Sequence, residues 1–250
     1  CGTLGAGVYQ PGQTQEQGGQ AGGMSIDVDT PLSHKKLILG AHVVPGQWLL
    51  QGGTVGGGGT LKWFRQEFGK DMSFDEITAE AEKVPAGSDG VVFLPYMAGE
   101  RSPIWDPDAK GVYYGLGFDK TRGHMIRSTL EGVAFSLEHN LRTAGEAGAE
   151  VAEMNAMGGA SNSLLWTQIK ADVTGKVVNV PSSDTATTLG AVLLAGVGCG
   201  VYKDFDDAVK KTVVITRTHT PDPERHEIYK KSMELYLDLY DHLKDLFGKY

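Results

Sequence analysis

The chain has 250 residues, of which 40% are hydrophobic and 22% are charged, a composition that fits one large domain or two small ones. Its net charge of −8 argues against a nucleic-acid or anionic-membrane surface, because both need clustered lysine and arginine. No apolar run approaches the roughly 20 residues of a membrane-spanning helix. The two cysteines form neither a disulfide framework nor a zinc pattern, so we expect a reduced, cytoplasmic setting.

The first part of the chain is dominated by short strands that are joined by glycine-rich turns. The predicted elements, in order, are the end of a helix at 1–9, a hairpin of strands 13–17 and 24–28, a second hairpin of strands 37–44 and 48–51, a helix after 59, a helix at 73–83 and a strand at 90–94. The tip of the first hairpin reads GGQAGG, which is unusually rich in glycine for a tight turn.

The second part of the chain alternates strands with helices. The predicted elements are a helix at 121–147, a strand at 150–157, a helix ending at 175, a strand at 176–180, a helix at 185–198, a strand at 213–218 and a terminal helix at 223–247. Hairpins followed by alternating strands and helices predict a mixed sheet with helices outside it. Without an internal repeat or a linker, we expect one lobe spanning residues 1–250.

Three glycine clusters, at 18–23, 52–59 and 157–163, stand at the ends of predicted strands or hairpins. They do not match the P-loop or the dinucleotide-binding pattern. The second and third clusters also precede helices, where unpaired backbone N–H groups and the helix dipole attract phosphate. Three tight turns without a ligand are the alternative interpretation of these clusters.

The segment 111–131 reads GVYYGLGFDKTRGHMIRSTLE. It resembles the C-terminal signature of the FGGY family of carbohydrate kinases, and the similarity extends over nearly the whole chain. The resemblance implies an α/β fold of the actin-like ATPase (ribonuclease-H-like) type, with a mixed sheet flanked by helices and with ATP and Mg²⁺ as cofactors. Glu131 ends the signature; we interpret it as a brace for a neighbouring loop, with a catalytic carboxylate as the alternative.

The GGQAGG turn falls where the family carries a Gly-Thr-Ser-Gly turn that contacts the ATP phosphates. Gly19 and Gly22 match the family glycines, whereas Gln20 and Ala21 replace the two hydroxyl residues. Gly58 matches a family glycine on the γ-phosphate side. The resemblance therefore implies phosphate binding by these five residues, mainly through backbone N–H groups.

The third cluster resembles the family's adenine-binding Gly-Gly-Ala turn. The residues it implies for adenosine are Gly158, Gly159, Ala160 and Ser163. The seven histidines show no metal-ligand spacing, so we assign no metal ligand in this chain.

The stretch LPYMAGERSPIWDPDAKG at 94–111 is similar to a segment of xylulose and gluconate kinases. We interpret Glu100 and Arg101 as an ion pair or staple within this loop. A contact to the substrate or to a facing lobe is the functional alternative.

In the family the general base is an Asp in a glycine-rich turn, which we expect upstream of Cys1, so no catalytic residue is assigned here. The resemblance implies the C-terminal, ATP-binding lobe of a sugar kinase, inactive alone, whose partners are ATP or ADP and a sugar held mainly by an N-terminal lobe. A ketopentose such as xylulose is the expected substrate, with gluconate or another pentose or polyol as alternatives. A homodimer would form through the apolar face that such a lobe leaves uncovered.

Two other functions stay open at this point. The loss of both hydroxyls at Gln20 and Ala21 favours a non-catalytic sugar sensor or assembly module built on a kinase fold. A free-standing nucleotide-binding domain is the third interpretation.

Overall fold

The computed structural model of the chain describes residues 1–183 and 185–249. The strands are β1 (Gln13–Gly18), β2 (Gly22–Val28), β3 (Ile38–Ala41), β4 (Trp48–Thr54), β5 (Val92–Leu94), β6 (Val112–Tyr114), β7 (Glu153–Met157), β8 (Val177–Pro181) and β9 (Ile215–His219). The helices are α1 (Gly2–Gly5), α2 (Gly58–Phe68), α3 (Phe74–Glu82), α4 (Arg122–Glu146), α5 (Leu164–Thr174), α6 (Ala186–Gly198), α7 (Phe205–Thr212) and α8 (Pro223–Phe247).

Seven strands form one mixed sheet in the order β3-β4-β2-β1-β7-β8-β9, and β5 pairs with β6 in a separate ribbon. Strands β1, β7 and β8 are parallel, and the other pairs in the sheet are antiparallel. The mixed sheet and the predicted first hairpin are therefore confirmed. Since parallel neighbours end at the same edge, β1 and β7 deliver their last residues side by side, with Gln17 opposite Met157.

Successive side chains of each strand point to opposite faces of the sheet, and both faces are covered by other parts of the chain. On one face, Met24, Ile26 and Leu50 pack with Leu137 and Leu141 of α4. The opposite face is polar near its centre and is covered by a smaller apolar cluster. That cluster combines Leu4 of α1, Leu193 of α6 and Ala208 and Val209 of α7.

Helix α4 has 25 residues, as does α8, and it was the clearest prediction from periodicity. Its start carries a capping box in which Thr121 and His124 bond reciprocally. Helix α7 was not predicted from the sequence. It has only eight residues, of which Ala208 and Val209 are buried, so the segment is too short to show a helical apolar pattern. None of the helices described has the length and apolar character that crossing a bilayer requires.

Candidate functional site

The three glycine clusters meet at one edge of the sheet. Gly158 follows β7 directly, and a Cβ added to it would lie 2.8 Å from the O of Gly18 and 3.2 Å from the N of Gly19. A Cβ on Gly58, at the start of α2, would lie 2.7 Å from the O of Gly19. The fold thus brings together residues that are about 40 and 100 positions apart, and side chains larger than hydrogen would fill the space between them.

The turn between β1 and β2 presents its backbone to solvent. Gln20 and Ala21 are exposed, and Gly19 and Gly22 are half-buried. Within residues 1–183 and 185–249, the backbone N–H groups of Gln20 and Ala21 have no hydrogen-bond acceptor. Two adjacent, exposed N–H donors are the kind of group that binds phosphate oxygens.

The start of α2 differs from the expectation of unpaired N–H groups. The N–H of Gly58 donates to the O of Gly19 at 2.7 Å, and the N–H of Gly59 donates to the O of Gln20 at 2.9 Å. That expectation is wrong for these two donors, because the turn folds directly onto the helix start and its carbonyls accept both bonds. The N-terminus of α2 therefore stabilises the turn, and Gly58 contributes through the absence of a side chain.

The cluster after β7 presents an open backbone surface beside the turn. Gly158 has a φ of 87°, a conformation that favours glycine, and a Cβ on Gly159 would meet nothing within 4 Å. Ala160 is buried in the core, at 7% exposure, so its side chain faces inward. The Oγ of Ser163 accepts a hydrogen bond from the N–H of Trp166 at 3.2 Å and caps α5.

A buried ion pair, which was not predicted from the sequence, lies directly behind the turn. The Nζ of Lys170 donates to Oε1 of Glu16 at 2.7 Å, with the two side chains 2% and 5% exposed. Lys170 also lies 5.4 Å from the ring centroid of Trp166. A lysine among the apolar positions of α5 was the available signal. Because Nζ would lie 3.1 Å from a Cβ on Gly18, the pair supports the turn from within.

Glu100 and Arg101 fasten their loop to the end of β4. Oε1 of Glu100 accepts hydrogen bonds from the N–H of Val55 at 2.6 Å and of Arg101 at 2.8 Å. Burial raises the pKa of Glu100 to about 7, although these bonds oppose the rise. The predicted staple is confirmed, but the predicted ion pair does not form, because the guanidinium of Arg101 points to the O of Thr54 instead, at 2.9 Å.

Glu131 braces a loop, as predicted. Its carboxylate accepts hydrogen bonds from the N–H of Gly87 at 3.0 Å and the Oγ of Ser88 at 2.7 Å, and it pairs with Arg127 at 2.9 Å. Tyr229 of α8 donates to the same carboxylate at 2.9 Å. Burial raises the pKa of Glu131, and Arg127 opposes that rise. With every bond directed at the protein, this carboxylate joins α4, a loop and α8.

The family resemblance implies Mg²⁺, which proteins bind through one or two carboxylates together with substrate phosphates and water. Among residues 1–183 and 185–249, no group of three or more His, Cys, Asp or Glu side chains could hold a metal ion.

Comparison with known proteins identifies the family. The model of the FGGY family of carbohydrate kinases, C-terminal domain, matches residues 25–199. A xylulose kinase from Staphylococcus epidermidis is 29% identical over 98% of this chain and 50% of its own length. A gluconokinase from Bacillus licheniformis is 33% identical over 94% of this chain and 48% of its own length.

The crystal structure of xylulose kinase from Rhodospirillum rubrum superimposes with a TM-score of 0.92 at 31% identity, covering 99% of this chain and 50% of that one. The chain spans about half the length of the relatives it matches. Its fold is the actin-like ATPase fold that these kinases share. On the family match and these relatives, the chain belongs to the FGGY family of carbohydrate kinases, with its match in that family's C-terminal domain.

Proposed function

We propose that residues 1–250 form the nucleotide-binding lobe of a sugar kinase, which transfers the γ-phosphoryl group of ATP to a ketopentose such as xylulose. The observation that supports this most strongly is the convergence of three glycine clusters at one sheet edge, where two exposed N–H donors stand beside an open backbone surface. Phosphate needs such donors, and a nucleoside needs such a surface.

The proposed roles follow from the position of each group. The N–H groups of Gln20 and Ala21 bind phosphate oxygens, and the open backbone of Gly19 lets the phosphates approach. Gly22 and Gly58 keep the turn packed closely against β4 and α2, so that these donors stay in place. The adenosine lies over the backbone of the segment from Gly158 to Ser163, which includes Gly159 and Ala160. ATP would supply the phosphoryl group, and this chain's residues bind and orient it.

The names of the relatives support a sugar as the acceptor. Xylulose kinases and gluconokinases cover similar shares of the chain at similar identity. Gluconate is therefore the principal alternative substrate. We place the general base upstream of Cys1. We place most of the sugar-binding residues and the ligands for Mg²⁺ in a second lobe, whose closure would complete the site.

Binding of adenosine can be tested at Gly159. A leucine there would occupy the open space above the backbone, since a Cβ meets nothing within 4 Å. We expect Gly159→Leu to weaken ADP and ATP binding more than tenfold in calorimetry, because it takes the volume that the adenine needs. The midpoint of thermal unfolding should stay within about 2 °C, as expected for an exposed site.

The matched control is Gly145→Leu, at an exposed helical glycine of α4 where a Cβ also meets nothing within 4 Å. Nucleotide affinity should be unchanged in that variant. Failure of the wild-type chain to bind ATP or ADP at millimolar concentration would refute the proposed site. Equal affinities for wild type and Gly159→Leu would refute the placement of adenosine.

A coupled ADP-release assay tests the division of labour between lobes. The chain alone should show no turnover with xylulose, gluconate or glycerol, because loss of a general base costs about 10²–10⁴-fold even before the sugar site is considered. Clear turnover by the 250-residue chain would contradict the proposal. Turnover by the two-lobe protein with a sugar would exclude the non-catalytic sensor that Gln20 and Ala21 keep open.

A further inference from the structure

We propose that Arg101 is an anion-binding residue of this site, whose guanidinium contacts the terminal phosphoryl oxygens of the bound nucleotide. The inference rests on the proposed function and assigns a residue that the glycine clusters do not include. Arg101 carries a charge without an ion pair in the described chain. The exposed guanidinium makes one hydrogen bond, to the O of Thr54, and no carboxylate of residues 1–183 or 185–249 forms an ion pair with it.

Four other arginines form ion pairs with carboxylates: Arg122 with Glu80, Arg127 with Glu131, Arg142 with Glu138 and Arg225 with Asp172. Arg65 and Arg217 have no ion pair within residues 1–183 and 185–249 either, but both are half-buried and donate to the O of Met72 and of Ser161, whereas Arg101 is exposed. The neighbouring carboxylate of Glu100 faces the N–H groups of Val55 and Arg101 rather than the guanidinium. Arg101 therefore keeps a full positive charge and free N–H donors at the surface.

The backbone around Arg101 is held by several hydrogen bonds, so the position of its Cα is fixed. Besides the bond to Glu100, the N–H of Ser102 donates to the O of Gly53 at 3.0 Å, and the N–H of Trp105 donates to the O of Arg101 at 2.6 Å. Because the backbone is already ordered, binding of an anion has to order only the side chain of Arg101.

The guanidinium lies beside the phosphate turn. It covers Gly53, where an added Cβ would lie 3.3 Å from Cζ, and its bond to Thr54 reaches the strand position opposite Gly22. Gly22 is the last residue of the turn, and Gly23 is the strand partner of Gly53. Because Gly23 and Gly53 have no side chains, the guanidinium lies directly on the backbone of the sheet here, on the face opposite α4.

The chemistry fits a phosphate better than a neutral ligand. A guanidinium offers a planar fork of N–H donors that binds two phosphate oxygens at once. The turn offers backbone N–H groups at Gln20 and Ala21 but contains no side-chain hydroxyl, so a cation beside it adds a donor that the turn lacks. The positive charge also offsets the negative charge that the phosphates bring to a chain of net charge −8.

Calorimetric titration of the 250-residue chain with AMP, ADP and ATP tests the inference. Arg101→Gln keeps an amide donor for the O of Thr54 and removes the charge, whereas Arg101→Lys keeps the charge without the fork. We expect Arg101→Gln to weaken ATP about tenfold and to leave AMP within about twofold, with Arg101→Lys between it and wild type. Arg122→Gln, at an arginine already paired with Glu80, should change none of the affinities.

Two outcomes would overturn the assignment while leaving the proposed function intact. Unchanged ATP binding in Arg101→Gln would show that the guanidinium does not reach the phosphates. An equal loss for AMP and ATP would show a structural role in the loop. Absence of nucleotide binding in the wild type would instead refute the proposed function itself.

Discussion

Asp27 carries a buried carboxylate that the structure leaves without partners. The residue is 0% exposed, and neither of its carboxylate oxygens has a hydrogen-bond partner within the described chain. Burial raises the pKa of Asp27 to about 7, and the charge of Asp29 adds to the rise. Between about pH 4 and pH 7 the folded state thus binds a proton that the unfolded state has released, and stability falls as the pH rises through this window.

Replacing the carboxylate by an amide should remove this pH dependence. Urea unfolding at pH 5 and at pH 8 gives the free energy of unfolding of Asp27→Asn relative to that of the wild type. We expect this difference to favour the variant by about 1–3 kcal/mol more at pH 8 than at pH 5. Asp71→Asn, at an exposed carboxylate, should show no such difference between the two pH values. A constant offset for Asp27→Asn across this range would contradict a neutral, buried Asp27.

Helices α1 and α6 cross so closely that glycine is required at the contact. A Cβ on Gly190 would overlap the O of Cys1 and would lie 2.9 Å from the N of Gly5. Since those atoms belong to backbone, they cannot move aside without separating the helices. We expect Gly190→Ala to lower the free energy of unfolding by about 3 kcal/mol in urea titration.

The same helix offers a matched control for Gly190→Ala. A Cβ on Gly198, at the last residue of α6, meets nothing within 4 Å, so Gly198→Ala should be neutral or should stabilise the chain by up to about 1 kcal/mol. If both variants had the same stability, the close crossing of α1 and α6 would be refuted.

Two kinds of element could be predicted from the sequence. Helix α4 has apolar residues at helical spacing over many turns, and the β1–β2 hairpin has a glycine-rich tip. The parallel pairing of β1 with β7 could not, because their positions in the chain differ by about 140 residues and neither pattern encodes the register. For the same reason the sequence could not show that Gly19 accepts a bond from Gly58. The outcome at Glu100 and Arg101 depended on which backbone groups lay nearby, and that is a property of the folded loop.

Across the whole molecule, the candidate site is one unit made of three distant segments. The bonds from Gly58 to Gly19 and from Gly59 to Gln20 join two of them, and the contact of Gly158 with Gly18 and Gly19 joins the third. A ligand that orders one segment should therefore slow the opening of all three. A ligand that binds only the closed form of the site lowers the population of the open forms. At concentrations well above Kd, that population falls in proportion to the ratio of ligand concentration to Kd.

Hydrogen–deuterium exchange with and without ADP tests this coupling. At ADP concentrations about 100 times Kd, exchange should slow by up to about 100-fold at 19–22, 56–60 and 157–160 together. The N–H groups of Gln20 and Ala21 should show the largest change, since they have no acceptor in the described chain without a ligand. Residues of α7, which pack with α1 and α6 in the smaller apolar cluster, serve as the internal control and should exchange at the same rate in both samples. Protection confined to one segment would mean that the three clusters respond independently, and the sheet edge would then not act as a single nucleotide site.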